Sequence, residues 1–172
     1  MANTEYLIRP ARTENLQTIR ELALKIWPPT FGGILSAEQI DYMLEMMYSL
    51  DSLREQQTNG HKMFLMFLGE KAVGYLSLEH HLSGKWEHSF TKVHKIYLLP
   101  QEQGKGAGKT LMDHAFAEAK QKGDHAVMLN VNRFNKSVGF YERYGFETVA
   151  TEDIDIGNGF LMEDFVMQCP IR

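Results

Sequence analysis

Residues 101–110 read QEQGKGAGKT, in which Gly104, Gly106 and Gly108 alternate ahead of Lys109 and Thr110. Such a run is suited to holding an anion. Successive backbone N–H groups at the start of a helix bind phosphate, and glycine lets the ligand come close. The ending GAGKT suggests a nucleoside-triphosphate loop, whose pattern is glycine, any four residues, then Gly-Lys-Ser/Thr. The position where its first glycine should fall is Gln103. Such an enzyme also needs a strand ending in Asp to hold magnesium, and the apolar run HAVMLNVN (125–132) ends in asparagine. The loop therefore points to a phosphate-bearing ligand of another kind. The seven histidines show no HExxH or Cys/His spacing, so no metal is expected. Cys169 lacks a local nucleophile signature, which favours direct transfer over a covalent enzyme intermediate.

The elements that must position this loop follow from periodicity. EYLIRP (5–10) alternates like a strand, and TENLQTIRELALKIW (13–27) puts Leu16, Ile19, Leu22, Ala23 and Ile26 on one helical face. Thr13 is the expected N-cap, and Pro28-Pro29 the expected stop. A second helix is predicted over 36–50, with Ser36 and Gln39 as a capping box. KMFLMFL (62–68) and AVGYLSLEH (72–80) form a hairpin, and a further turn leads to a strand ending KVHKIYLL (92–99). After the glycine loop come a helix over 109–123, a buried strand over 125–131 and a short helix over 135–146 closed by Gly145. Gly157-Asn158-Gly159 joins two last strands as a hairpin turn. Strand, two helices, three strands, helix, strand, helix, two strands is an α/β order with a mostly antiparallel sheet.

A chain of 172 residues with 44% apolar and 23% charged residues fits one continuous domain, residues 1–172. The polar start MANTEYLIRPAR and the lack of a long apolar run predict no signal peptide and no membrane span. A single cysteine suits a reducing compartment, so a cytoplasmic location is expected. The net charge of −4 is unevenly spread. Residues 85–143, which contain the loop, hold ten Lys/Arg against six Asp/Glu. From Tyr144 to Ile171 there is no base, against Glu147, Glu152, Asp153, Asp155, Glu163 and Asp164. Ile26 to Leu53 likewise has only acids: Glu38, Asp41, Glu45 and Asp51. A phosphate-bearing ligand beside a cationic one fits that pattern, as does plain solvated surface; a nucleic-acid partner does not fit.

Gln103-Gly104-Lys105-Gly106-Ala107-Gly108 fits the pattern Gln/Arg-x-x-Gly-x-Gly/Ala, and the later NKSVGFYERYGFE pairs an Asn with a helical Tyr and Tyr-Gly-Phe. Together these resemble the acyl-CoA loop and second signature of the GNAT superfamily of N-acetyltransferases, and the element order agrees along nearly the whole chain. The resemblance implies a mixed, mostly antiparallel seven-stranded sheet flanked by about four helices and splayed between strands 4 and 5. It implies acetyl-CoA as co-substrate and no metal. The cofactor loop would be Gln103, Gly104, Lys105, Gly106, Ala107, Gly108 and Lys109. The backbone of Ile96, Tyr97 and Leu98 would bond the pantetheine arm, with Asn135 contacting it as well.

Transfer to an amine requires that amine to be neutral, which at pH 7 holds for roughly 1 part in 2,500 of a group with pKa near 10.4. A base or desolvation must supply that state, and the departing thiolate needs an acid. The resemblance places Tyr141 beside the sulfur as that acid. The family's strand-4 glutamate falls on Lys92, which cannot act as a base while charged. His94, two residues nearer the loop, is expected on the same strand face and is the candidate base; Glu79, His80 and Glu87 are rivals. Within the superfamily, FGGILSAEQIDYMLEMMYSLDSL, HKIYLLPQEQGKG and DIGNGFLMEDFVMQ look most like the PaiA-type polyamine acetyltransferases. The acidic second helix and last hairpin then suggest Asp41, Glu45, Asp153 and Asp155 as contacts for spermidine or spermine. Other small amines, a protein amine, or a CoA-binding regulator with little catalysis remain alternatives. Dimers are frequent in the superfamily, so a homodimer is a candidate assembly.

Overall fold

The computed structural model describes residues 5–172. Seven strands form one sheet in the order β1-β2-β3-β4-β5-β7-β6. They are β1 (Tyr6–Pro10), β2 (Lys62–Leu68), β3 (Lys71–Leu82), β4 (Phe90–Leu98), β5 (Ala126–Asn132), β6 (Glu147–Gly157) and β7 (Phe160–Pro170). Every pairing is antiparallel except β4 with β5. The parallel pair runs only from Phe90 opposite Ala126 to Val93 opposite Leu129. Beyond it the strands part, as expected, and the β5-facing backbone groups of His94–Leu98 have no ladder partner on that side. Because unpaired backbone polar groups need partners, this wedge favours a ligand that offers amides.

Five α-helices flank the sheet: α1 (Leu16–Phe31), α2 (Ala37–Tyr48), α3 (Leu50–Thr58), α4 (Ala107–Lys122) and α5 (Ser137–Tyr144). The predicted face of α1 is buried, with Leu16, Ile19, Leu22, Ala23 and Ile26 in the core. Two expectations at its ends fail. Thr13 lies inside a short 3-10 turn, Thr13–Asn15, rather than capping the helix. The helix also continues through Pro28 and Pro29 to Phe31. Each proline removes a bond to the carbonyl four residues back, and those carbonyls belong to Leu24 and Lys25, both exposed to water. Trp27 and Phe31, with tilted rings whose centroids are 4.6 Å apart in the core, hold the last turn in place.

The expected second helix is two. Ser49, at ψ 150°, leaves the helical region and then accepts the Ser52 N–H at 3.2 Å, so it ends α2 and caps α3. That raises the helix count from the expected four to five. Ser36 caps α2 by accepting the Gln39 N–H at 3.1 Å. Gln39 does not complete the capping box; its amide donates to the Leu161 carbonyl at 2.8 Å. Tyr42 donates to the Ile156 carbonyl at 2.6 Å, so α2 is tied to the β6–β7 hairpin across the open side of the sheet. The turn of that hairpin has positive φ at Gly157, Asn158 and Gly159, as its sequence demands.

Helix α4 covers the opposite sheet face with Ala107, Leu111, Met112, Ala115 and Ala119. The tyrosines Tyr48 and Tyr75, hydrogen-bonded at 2.7 Å, fill the α1–α3 side with Trp27. No helix among the described residues is long and apolar enough to cross a membrane.

Candidate active site

The wedge between β4 and β5 opens into a cleft of about 680 Å³ running from the glycine loop to the β6–β7 hairpin. Of the loop, Gln103, Gly104, Gly106, Gly108 and Lys109 line it. Gly104 and Gly106 have φ of 77° and 86°, and a Cβ at either would meet open space. The backbone, not crowding, therefore demands glycine there. Gly106 caps α4, whose first helical bond joins the Thr110 N–H to the Gly106 carbonyl. The N–H groups of Ala107, Gly108 and Lys109 precede that bond and are free for an anion. Lys105 and Ala107 do not line the cleft. Lys105 pairs with Glu102 at 3.6 Å, and the Ala107 side chain is in the core. Lys109 lies beside the cleft with its ammonium 2.8 Å from Asp113. Two cations not singled out from the sequence, Lys136 and Arg143, also line it.

Ile96, Tyr97, Leu98 and Asn135 all border the cleft. The Asn135 side chain accepts the Ser137 N–H at 2.9 Å, which leaves its amide nitrogen for a ligand. A pyrophosphate with an amide-bearing arm fits these residues: free N–H groups and flanking cations at one end, an unpaired strand edge at the other.

Tyr141 is 8% exposed, lines the cleft, and packs edge-on against Phe140 and Phe146. Its hydroxyl has no hydrogen-bond partner among the described residues. Burial holds its pKa well above 10, so it stays protonated. Its neighbour Tyr144 is spent elsewhere, donating to Asp113 at 2.6 Å on the α4 side. Tyr97 is half-buried, and its pKa is raised first by desolvation and then by Tyr48, Tyr141 and Asp164. Tyr48, Tyr97, Tyr141 and Asp164 all line the cleft.

His94 faces the cleft through an irregularity. Ser77 of β3 opposes Lys95 and Leu78 opposes Val93, so His94 is an extra residue at a β-bulge, which breaks the simple alternation. His94 Nε2 lies 2.9 Å from Glu79 Oε1, and the His61 ring stacks on His94 at 4.2 Å. An ionised Glu79 accepts, so Nε2 carries the proton and Nδ1 keeps the lone pair. Burial pushes the His94 pKa down to about 4; the Glu79 bond opposes this, while His61, Lys92 and Lys95 add to it. Lys95, on the same wall, donates to Gln56 at 2.8 Å, and burial lowers its pKa to about 8. The other base candidates are elsewhere. His80 bonds Thr91 at 2.8 Å, and Glu87 is on an exposed turn.

The expected acidic wall is not in the cleft. Asp41 and Glu45 border a separate depression with Arg20, and Asp153 pairs with Arg133 at 2.7 Å. Asp155 accepts the Gly157 N–H at 2.8 Å. Periodicity explains this: Gln39, Met43 and Met47 form the inward stripe of α2, and Ile154 is the inward residue between Asp153 and Asp155. The carboxylate that does line the cleft is Asp164, in company with Asn130 and Asn132.

Residues 34–169 match the family model for the acetyltransferase (GNAT) domain. The chain is 34% identical over 163 residues to a spermidine N(1)-acetyltransferase of Thermoplasma acidophilum, covering 91% of this chain and 94% of that one. Among solved structures, the PaiA N-acetyltransferase of Thermoplasma acidophilum in complex with coenzyme A superposes with a TM-score of 0.78 at 28% identity, covering 96% and 99% of the two chains. A Rhodopseudomonas palustris GCN5-related N-acetyltransferase shares the fold with a TM-score of 0.79 at 17% identity, over 99% and 98%.

Proposed function

The chain belongs to the GNAT family of acetyltransferases, and from that premise we propose that it acetylates a primary amine of a polyamine such as spermidine or spermine. The likeness to the Thermoplasma relative, a spermidine N(1)-acetyltransferase, carries the choice of acceptor. Acetyl-CoA supplies an activated acetyl thioester. Gln103, Gly104, Gly106, Gly108 and Lys109, with the N–H of Ala107, hold its pyrophosphate, helped by Lys136 and Arg143. Lys105 serves the loop indirectly, through its pair with Glu102. The open edge of β4 at Ile96–Leu98 and the Asn135 amide align its arm.

His94, oriented by Glu79, takes the proton from the attacking amine at Nδ1, directly or through water. Tyr141 gives its proton to the departing sulfur. In water that transfer from a phenol near 10 to a thiolate near 8.5 is uphill by roughly 2 kcal/mol. Burial raises the Tyr141 pKa and penalises any thiolate at the same place in the same sense, so the two shifts offset each other.

The test is thiol release from acetyl-CoA with spermidine, spermine, an aminoglycoside and a lysine peptide offered in parallel. Saturable turnover confined to the polyamines is the expected result. Turnover with the peptide or aminoglycoside alone removes the polyamine and keeps the acetyltransferase.

The lowered His94 pKa also fixes a pH profile. From about pH 5.5 to 7, below the range where Lys95 loses its proton, His94 stays neutral in the free enzyme, so of the two reacting groups only the amine titrates, and kcat/KM for spermidine should rise about tenfold per pH unit. A slope steepening to about two below pH 6.5 would instead mean a base with the ordinary histidine pKa.

A further inference from the structure

Asp164 sits in β7 opposite Asn132 of β5 and Glu152 of β6. It is 3% exposed, and among the described residues it is the one carboxylate lining the cleft. Its Oδ2 accepts from the Asn130 amide at 3.3 Å, an amide shared with Glu152 Oε2 at 3.2 Å. No hydrogen-bond donor reaches its Oδ1, and no Lys or Arg nitrogen lies within 4.0 Å of the carboxylate, among the described residues. Arg133 is near enough to neutralise it but is used otherwise. Its guanidinium bonds the Asp153 carboxylate at 2.7 Å and the backbone carbonyls of Glu152 and Asp164 at 3.5 and 3.4 Å. Lys92 lines the cleft without closing an ion pair to it. Buried charges in proteins are ordinarily paired, but this carboxylate, with a second one across the strand, has no paired cation among the described residues, and Lys92 acts on it only from a distance.

We propose that Asp164 is the acceptor-recognition residue of the cleft, pairing with a cationic nitrogen of the acceptor other than the one that is acetylated. The inference rests on the polyamine reading and names the residue that selects for it. The reacting nitrogen cannot be the partner, because an ion pair would hold its proton, and attack requires it neutral. The acceptor class is therefore a di- or polyamine, with one nitrogen at the thioester and another against Asp164. Asp164 lines the same cleft as Tyr97 and Tyr141, so the anchor and the proposed acid border one space. Burial raises the Asp164 pKa, with Glu152 adding to the effect and Asn130 opposing it. A bound ammonium supplies the charge that such a site is short of.

The experiment compares wild type with Asp164→Asn, which keeps shape and the Asn130 contact. Asp164→Ala is the second variant should the first fail to fold. Turnover is measured with spermidine and with n-butylamine, which has a single nitrogen, and spermidine binding to the CoA-loaded protein is measured by calorimetry. The expected result is a rise of at least about tenfold in both spermidine KM and Kd. The KM values for acetyl-CoA and butylamine should stay within about twofold, whereas a structural defect would move them all. Spermidine affinity unchanged in the variants overturns the anchor while leaving the polyamine reading intact. Asp164-dependent binding without acetylation keeps the anchor and removes that reading. No spermidine binding by the wild type removes both.

Discussion

Replacing Tyr141 by Phe should lower kcat by roughly 100- to 1,000-fold, the size expected when a general acid is lost. The acetyl-CoA dissociation constant should change by no more than about twofold, since the ring and its packing remain. The substitution is clean for a physical reason. The hydroxyl has no partner among the described residues, so its removal orphans no buried donor or acceptor there, and stability should change by less than about 1 kcal/mol. Tyr144, three residues on, is the natural control. Its hydroxyl is committed to Asp113 outside the cleft, and Tyr144→Phe should leave kcat near wild type. Single-turnover kinetics with saturating acetyl-CoA and spermidine separate the chemical step from binding. A Tyr141→Phe enzyme retaining a third or more of the wild-type rate would remove Tyr141 as the acid.

The second large effect is expected at the anion cradle. Gly106 has φ 86° and ψ −1° at the N-cap of α4. A β-branched residue is strained in that region by roughly 1–2 kcal/mol. Gly106→Val should relieve the strain by turning the peptide units that open the helix, so the N–H groups of residues 107–109 no longer converge. Each hydrogen bond to a charged phosphate is worth about 1.5–3 kcal/mol, so losing one or two should raise the acetyl-CoA KM by roughly 10-fold or more. Saturating acetyl-CoA should restore most of kcat, because Tyr141 and His94 are elsewhere. Gly60→Val supplies the comparison: its φ is 101°, it lies at the turn between α3 and β2, and nothing crowds its Cβ. It should share the stability loss and keep the wild-type KM. If both variants bind acetyl-CoA as wild type does, the loop is not the pyrophosphate site.

Some of this protein could be read without a structure. The glycines of the loop, Gly145 after α5 and the Gly157–Gly159 turn each meet a backbone requirement set within a few residues, so the sequence states them directly. The core face of α1 and the β2–β3 hairpin followed from period alone. Ser49 was a local signal overlooked, since a serine with ψ 150° both ends one helix and caps the next. The outward direction of Asp41, Glu45, Asp153 and Asp155 was also legible, because helical and strand periods set them opposite Met43 and Ile154. Charge counted along the chain hid that, as it ignores the face on which each charge lies.

The remaining features depended on residues far apart in sequence. The helix passes Pro28-Pro29 because the Trp27–Phe31 pair is buried against Tyr97 and the freed carbonyls reach water. His94 meets Glu79 because β3 and β4 slip by one residue at a bulge, a matter of register between strands. Asp164 was one acid among six in the last stretch of sequence. What singles it out is that β7 pairs with β5 just where β5 leaves β4, which turns this one carboxylate into the cleft. The sequence thus determined the fold family and the glycine loop, whose requirements are local backbone geometry. Only the tertiary structure decided which side chains face the cleft, because that direction is set by strand register, a bulge and the parting of two strands.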